Sequence, residues 1–117
     1  MKFYMHGIEK INLEDIVVLS VELSHSTLLD TKKFRTLIDE EINQDHLKMI
    51  IDLSKCEHID STFLGAIMMT LQKLNEKGGK MKIVEPTNPK EDIFDVTKTH
   101  ELFDMHKTRE DALKSFS

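Results

Sequence analysis

The chain has no tryptophan, a single tyrosine, a single cysteine and two prolines, and these shortages remove classes of function. One thiol, Cys56, can form neither an internal disulfide nor a thiolate zinc site, which agrees with a reducing compartment. Its expected role is that of a small buried hydrophobe. The six phenylalanines are scattered and no basic stripe interleaves with them, so a stacking platform for nucleobases is missing. Sixteen Lys and Arg stand against 21 Asp and Glu, a net charge of -5, which gives no global field for nucleic acid or an anionic membrane. Apolar runs are no longer than stretches such as Ala66-Ile67-Met68-Met69, far short of the roughly 20 residues of a membrane span. The start, Met1-Lys2-Phe3-Tyr4-Met5-His6, lacks the parts of a secretory signal, so a cytoplasmic protein without direct membrane insertion is expected.

Catalytic signatures are equally sparse. His6, His25, His46, His58, His100 and His106 include no pair three or four residues apart, so no metal site is expected. There is no Gly-x-Ser-x-Gly elbow and no Walker loop. His58, Asp60 and Ser61 hold the residue types of a hydrolytic triad, but a triad draws its members from separated elements. No enzyme activity and no cofactor are expected.

What is present is the make-up of one globular domain: 117 residues, 39% hydrophobic and 32% charged. The stretch Ile16 to Leu23 is β-branched and apolar and Lys48 to Leu53 is a near-continuous apolar run closed by polar residues, as expected of buried strands. Between them, Phe34, Leu37, Ile38 and Ile42 form a stripe at helical spacing over 31–44, with Thr31 as the expected N-cap. In this helix the run Asp39-Glu40-Glu41 reads as a solvated face, or else as a patch for a basic partner. A second stripe, Leu64, Ile67, Met68, Leu71 and Leu74, spans 62–77 and ends at Gly78-Gly79. Lys80 to Val84 reads as a strand, 90–97 as a short helix, Leu102 to His106 as a further strand, and Thr108 caps a last helix through Lys114. Near the N-terminus, Phe3 to Ile11 and the run from Ile16 are joined by a hairpin connection, Asn12-Leu13-Glu14-Asp15. Strands alternating with helices imply a sheet with parallel pairs and helices packed on it.

The most informative stretch runs from Ile50 to Gly65: a buried strand, a tight loop, then Asp60-Ser61-Thr62 at a helix start. One reading makes these three residues caps for the first backbone N–H groups. The sharper reading is a switch hydroxyl, because a phosphate at a helix start is favoured by the dipole and the backbone donors. At about 100° per residue, Gly65 and Met69 point nearly opposite the apolar stripe. They offer a partner a close approach beside Ser61, unless another helix of the chain covers them.

Here the sequence resembles the bacterial anti-sigma factor antagonists, the STAS domain family. A strand ending in Asp52-Leu53-Ser54, a short loop, Ile59-Asp60-Ser61-Thr62, one residue, Leu64-Gly65 and an apolar helix carry the resemblance. It extends in element order to the last helix with Asp111-Ala112-Leu113. The resemblance implies an α/β, STAS-like fold: a mixed, mostly parallel β-sheet of four to five strands, with about four helices packed mainly on one face. It implies that the unphosphorylated chain binds an anti-sigma serine kinase and releases the sigma factor. Phosphorylation at Ser61 then switches the chain off until a phosphatase resets it. Thr62 is the second hydroxyl, and the partner-binding residues are Asp60, Ser61, Thr62, Gly65, Met69 and, from the loop after Val21, Ser24. As an assembly it is expected to be a monomer or weak dimer. Phe63 stands where the family usually has glycine, either crowding the switch or packing downward; Ser24 and Val21 replace the usual aspartate and glycine. The alternative is a non-phosphorylated STAS scaffold, or a cytoplasmic subunit of a lipid or anion transport complex, a role to which Phe63 is friendly.

Overall fold

The computed structural model describes residues 2–5, 7–22, 28–56, 59–87, 94 and 98–116. The two apolar runs form the middle of a sheet. Strand β3 (Ile16–Val21) pairs in parallel with β4 (Lys48–Asp52), from Ile16 opposite Lys48 to Ser20 opposite Asp52. Every residue from Val17 to Val21 and from Met49 to Asp52 is buried. Burial on both faces is why these strands show no polar alternation.

The remaining strands are β1 (Lys2–Met5), β2 (Ile8–Leu13), β5 (Lys80–Val84) and β6 (Asp104–His106), and the sheet order is β1-β2-β3-β4-β5-β6. The first two pairings are antiparallel and the other three parallel, so the sheet is mixed and mostly parallel as expected. It has six strands rather than four or five. The extra one arises because the N-terminal segment folds back on itself: Met5 pairs with Ile8, and Gly7 takes a positive φ of 78°, which glycine adopts without steric penalty. The expected hairpin connection is tighter than read, with Leu13 opposite Ile16.

The long helices α1 (Leu28–Asn43) and α2 (Ser61–Glu76) share one face of the sheet. Phe34, Leu37, Ile38 and Ile42 of α1 and Phe63, Leu64, Ile67 and Leu74 of α2 join Val17, Leu19, Met49, Ile51 and Ile83 in one core. Helix α3 (Arg109–Ser115) lies on the opposite face, where Ala112 packs with Ile11, Val18, Ile50 and Val84. Thr108 caps it, accepting from the Asp111 N–H at 3.1 Å. The short helix expected over 90–97 lies outside the described residues except for Phe94, which is helical and fully buried. Helix α1 starts at Leu28, so Thr31 is not its N-cap but a buried residue of the first turn. The end of α2 follows the glycines: Gly78 has φ 76°, and a Cβ on Gly79 would stand 2.5 Å from the Leu47 carbonyl oxygen.

The acidic run of α1 is not a uniformly solvated face. Asp39 meets Lys73 of α2 at 2.7 Å and Glu40 is exposed, but Glu41 is 1% exposed, held by Lys10 Nζ of β2 at 2.6 Å and by His46 Nδ1. Burial pushes the Glu41 carboxyl up, and the hydrogen bonds from His46 and Lys10 outweigh it, so the group is held below its ordinary value of 4.5. A carboxylate depressed in this way stabilises the fold above its unfolded-state value, and the contribution disappears as pH falls through the folded-state value. Glu41→Gln is expected to cost roughly 1–3 kcal/mol at neutral pH. It is also expected to flatten the acid-side loss of stability that sets in below the ordinary carboxylate value. Urea melts across that range check both; parallel pH profiles for parent and variant would remove Glu41 from the account.

Candidate functional site

The candidate site begins where β4 leaves the sheet. Asp52 is 3% exposed, yet both its oxygens are occupied: Oδ1 accepts from the Ser54 N–H at 2.9 Å and the Ser54 hydroxyl at 2.6 Å, and Oδ2 accepts from Arg109 Nε of α3 at 2.9 Å. The turn that follows is closed by the Cys56 N–H donating to the Leu53 carbonyl at 3.0 Å, and Thr87 Oγ1 donates to the Ser54 carbonyl at 2.7 Å. Leu53, Cys56 and Ile59 are buried, so the loop is pinned by apolar side chains at both ends. It delivers Asp60 to the start of α2.

Asp60 is the N-cap, with φ −90° and ψ 175°, and its Oδ1 accepts from the Phe63 N–H at 2.8 Å. The first intrahelical bond is Leu64 N–H to the Asp60 carbonyl at 3.1 Å. The N–H groups of Ser61 and Thr62 therefore belong to the donors a helix start leaves outside its own ladder. Both side chains are exposed, which puts two hydroxyls at the positive end of a 16-residue helix. The capping reading holds for Asp60 and leaves the two hydroxyls to be explained.

Phe63 packs downward. It is fully buried, and its ring centroid lies 4.7 Å from that of Phe34 at an interplanar angle of 39°. The ring thus locks α1 to the first turn of α2 and leaves the surface around Ser61 uncrowded. Ser61, Gly65 and Met69 succeed one another at four-residue spacing along one ridge of α2. Nothing among the described residues covers them: Met69 is 41% exposed, and a Cβ built on Gly65 meets no atom within 4 Å. A mid-helix glycine lowers helix stability by about 1 kcal/mol relative to alanine, and packing among the described residues gives no reason for it here.

Of the residues singled out from sequence, Asp60, Ser61, Thr62, Gly65 and Met69 come together on the first two and a half turns of α2. Ser24 lies outside the described residues, as does His58. Reading the sequence missed Lys32 and Arg35, which reach the same surface from α1; their signal was a pair of cations three residues apart on the polar side of the first stripe. It also missed the clamp of Arg109 on Asp52, which spans 57 residues and has no local signature. Among the described residues no three His, Cys, Asp or Glu side chains are grouped to hold a metal ion, and no helix is long and apolar enough to cross a membrane.

The family model of the STAS domain matches residues 8–112. A Thermotoga neapolitana protein assigned as an anti-sigma factor antagonist is 30% identical over 104 residues, covering 87% of this chain and 90% of that protein. The crystal structure of a Thermotoga maritima protein with the same assignment superposes with a TM-score of 0.83 at 24% identity, covering 94% of each chain. The phosphorylated form of the Bacillus anti-sigma factor antagonist SpoIIAA shares the fold with a TM-score of 0.71 at 16% identity, over 94% of this chain and 99% of that one.

Two substitutions separate packing from surface at this site. Phe63→Ala is expected to lose about 3–5 kcal/mol as the contact with Phe34 empties. Gly65→Ala is expected to gain about 0.5–1 kcal/mol, since the added methyl enters open space on a helix. Guanidinium unfolding measures both, and a destabilised Gly65→Ala would mean that the ridge is packed after all.

Proposed function

Because the chain belongs to the STAS domain family, we propose that it acts as an anti-sigma factor antagonist, a single domain over 1–117, switched by phosphorylation at Ser61. The observation that carries this reading is the division of labour at the start of α2. Asp60 caps the helix, Phe63 anchors it from below, and Ser61 is left exposed at the head of an uncovered ridge. The relatives' assignments as anti-sigma factor antagonists support the pathway, and the phosphorylated form of a fold neighbour supports the modification.

In this reading the unphosphorylated chain docks an anti-sigma serine kinase through the ridge, and the sigma factor is released. Gly65 permits close approach of the partner's backbone, and Met69 repacks against whatever apolar side chain arrives. The kinase then transfers the γ-phosphoryl group of ATP to the Ser61 hydroxyl, leaving ADP, and a phosphatase later hydrolyses the phosphoester. A phosphate adds about 1.5 to 2 negative charges beside the Asp60 carboxylate. In the free chain, water and the α2 N-terminus accommodate that charge; in a desolvated interface they do not, so the bound state loses more. Each tenfold in affinity takes about 1.4 kcal/mol, well within the cost of like charges brought together at an interface. The burial of Phe63 beneath the helix supports this reading to the extent that the ring does not crowd Ser61.

Two variants test the switch. Ser61→Ala is expected to bind the cell's anti-sigma kinase like the parent but to take up no phosphate from ATP. Ser61→Asp is expected to bind about tenfold or more weakly, as a like charge at an interface demands. Calorimetric titration and intact-mass analysis provide the two readouts. Equal affinity of both variants, or phosphate still acquired by Ser61→Ala at Thr62, overturns the assignment of Ser61.

A further inference from the structure

Beside the ridge, α1 and α2 enclose a groove of about 470 Å³. The ridge residues Gly65 and Met69, with Ala66 and Met68, line its α2 side as a floor sloping up to the ridge, and Lys32 and Arg35, with the buried Thr31, line its α1 side as a wall. Floor and wall differ in chemistry. The floor is apolar apart from Thr62 at its head, and Met69 gives it an adaptable surface. On the wall, both cations are exposed, and neither enters an ion pair among the described residues. They sit three residues apart, neighbours on one helical face, within a chain whose net charge is -5.

We propose that this groove selects the partner: it seats an amphipathic, acid-flanked helical segment of the anti-sigma kinase, with carboxylates one turn apart meeting Lys32 and Arg35. The proposal rests on the antagonist reading for the partner's identity, and on the groove itself for the segment's chemistry. An apolar trough with one charged bank accepts a helix by inserting side chains at i and i+4 spacing while its flank faces the bank. A basic segment would meet two like charges and be rejected, which is discrimination by repulsion. A polar, uncharged segment would leave both cations without partners and gain only the floor contact. Wall and floor have separate kinetic roles: rim charges chiefly set the rate of association and its salt dependence, while the apolar contact sets dissociation.

The test uses the full chain and the cell's purified anti-sigma kinase, with association and dissociation followed by stopped flow at low and high salt. The double variant Lys32→Glu with Arg35→Glu is expected to associate about tenfold or more slowly at low salt and to show a salt dependence of opposite sign, because screening then relieves a repulsion. Met69→Ala is expected to act mainly on dissociation. Since Lys32, Arg35 and Met69 are exposed, circular dichroism and melting temperature are expected to match the parent, which excludes misfolding as the cause. If the double variant associates like the parent while Ser61→Asp still weakens binding, the groove proposal falls and the switch stands. If the double variant is slowed but Ser61→Asp binds like the parent, the groove stands and the switch falls. Absence of any binding by the parent overturns both.

Discussion

The site depends on a carboxylate taken out of water at the end of the central strand. Asp52 carries a charge into the interior, and that is tolerable only because three donors meet it: the Ser54 N–H, the Ser54 hydroxyl and Arg109 Nε. Removing Arg109 would leave the buried Asp52 with the two Ser54 donors alone; because Arg109 itself remains partly exposed, the cost falls below that of a fully buried pair. The same three bonds do two geometric tasks. Those from Ser54 curl the chain away from β4 and start the loop toward α2. The one from Arg109 ties that turn to α3 on the opposite face of the sheet. The loop to the candidate site is therefore braced from both layers, with Leu53, Cys56 and Ile59 buried beneath it.

The start of α2 then separates stability from exposure residue by residue. Asp60 spends one oxygen on the Phe63 N–H, and Phe63 fills the space over Phe34. Two positions earlier on the helix, about 200° round its axis, Ser61 faces outward. A hydroxyl so placed can change chemistry without disturbing the core, because nothing that holds the helix passes through it. The large ring at position 63 strengthens the arrangement: it fixes the first turn of α2 against α1, so the orientation of Ser61 is inherited from core packing rather than from a mobile loop.

The central strands, both long helices and the caps at Asp60 and Thr108 were legible because each rests on a short-range pattern: continuous β-branched residues, a 3.6-residue stripe, or a side-chain oxygen before a helix. The order of elements pointed to a mostly parallel sheet for the same reason. Other features depended on partners far away in sequence. Glu41 looks like part of a solvated acidic run until Lys10 arrives from β2, 31 residues distant. Gly7 was the one visible sign of the sixth strand, and a lone glycine marks a turn only once its flanking residues are known to pair. Thr31 has the chemistry of a cap, but the burial of Phe34 and Leu37 lets α1 begin a turn earlier, at Leu28. At the site, the residues of α2 were legible because they lie within ten positions of one another; Lys32 and Arg35 were not, because only the packing of α1 on α2 brings them alongside.

On the two proposals, that packing would give the surface two controls with different physics. The charge at Lys32 and Arg35 is exposed, so salt screens it within roughly 8–10 Å, and its influence falls on encounter. In the proposed switch, a phosphate on Ser61 would act after encounter, where water has been excluded and screening is weak. An antagonist needs both properties. Choosing among related kinases calls for a rim that rejects wrong charge before close contact forms, whereas release on modification calls for a group that is harmless in water and intolerable in a dry interface. Because the helix–helix contact rests on buried residues such as Phe34 and Phe63 and on the Asp39–Lys73 pair, while Ser61 and Met69 are exposed, either control could vary in sequence while the fold beneath stays the same. The glycine at position 65 fits this view: it gives up helix stability at a place where no described residue packs on it, and the approach of another molecule would give that sacrifice a use.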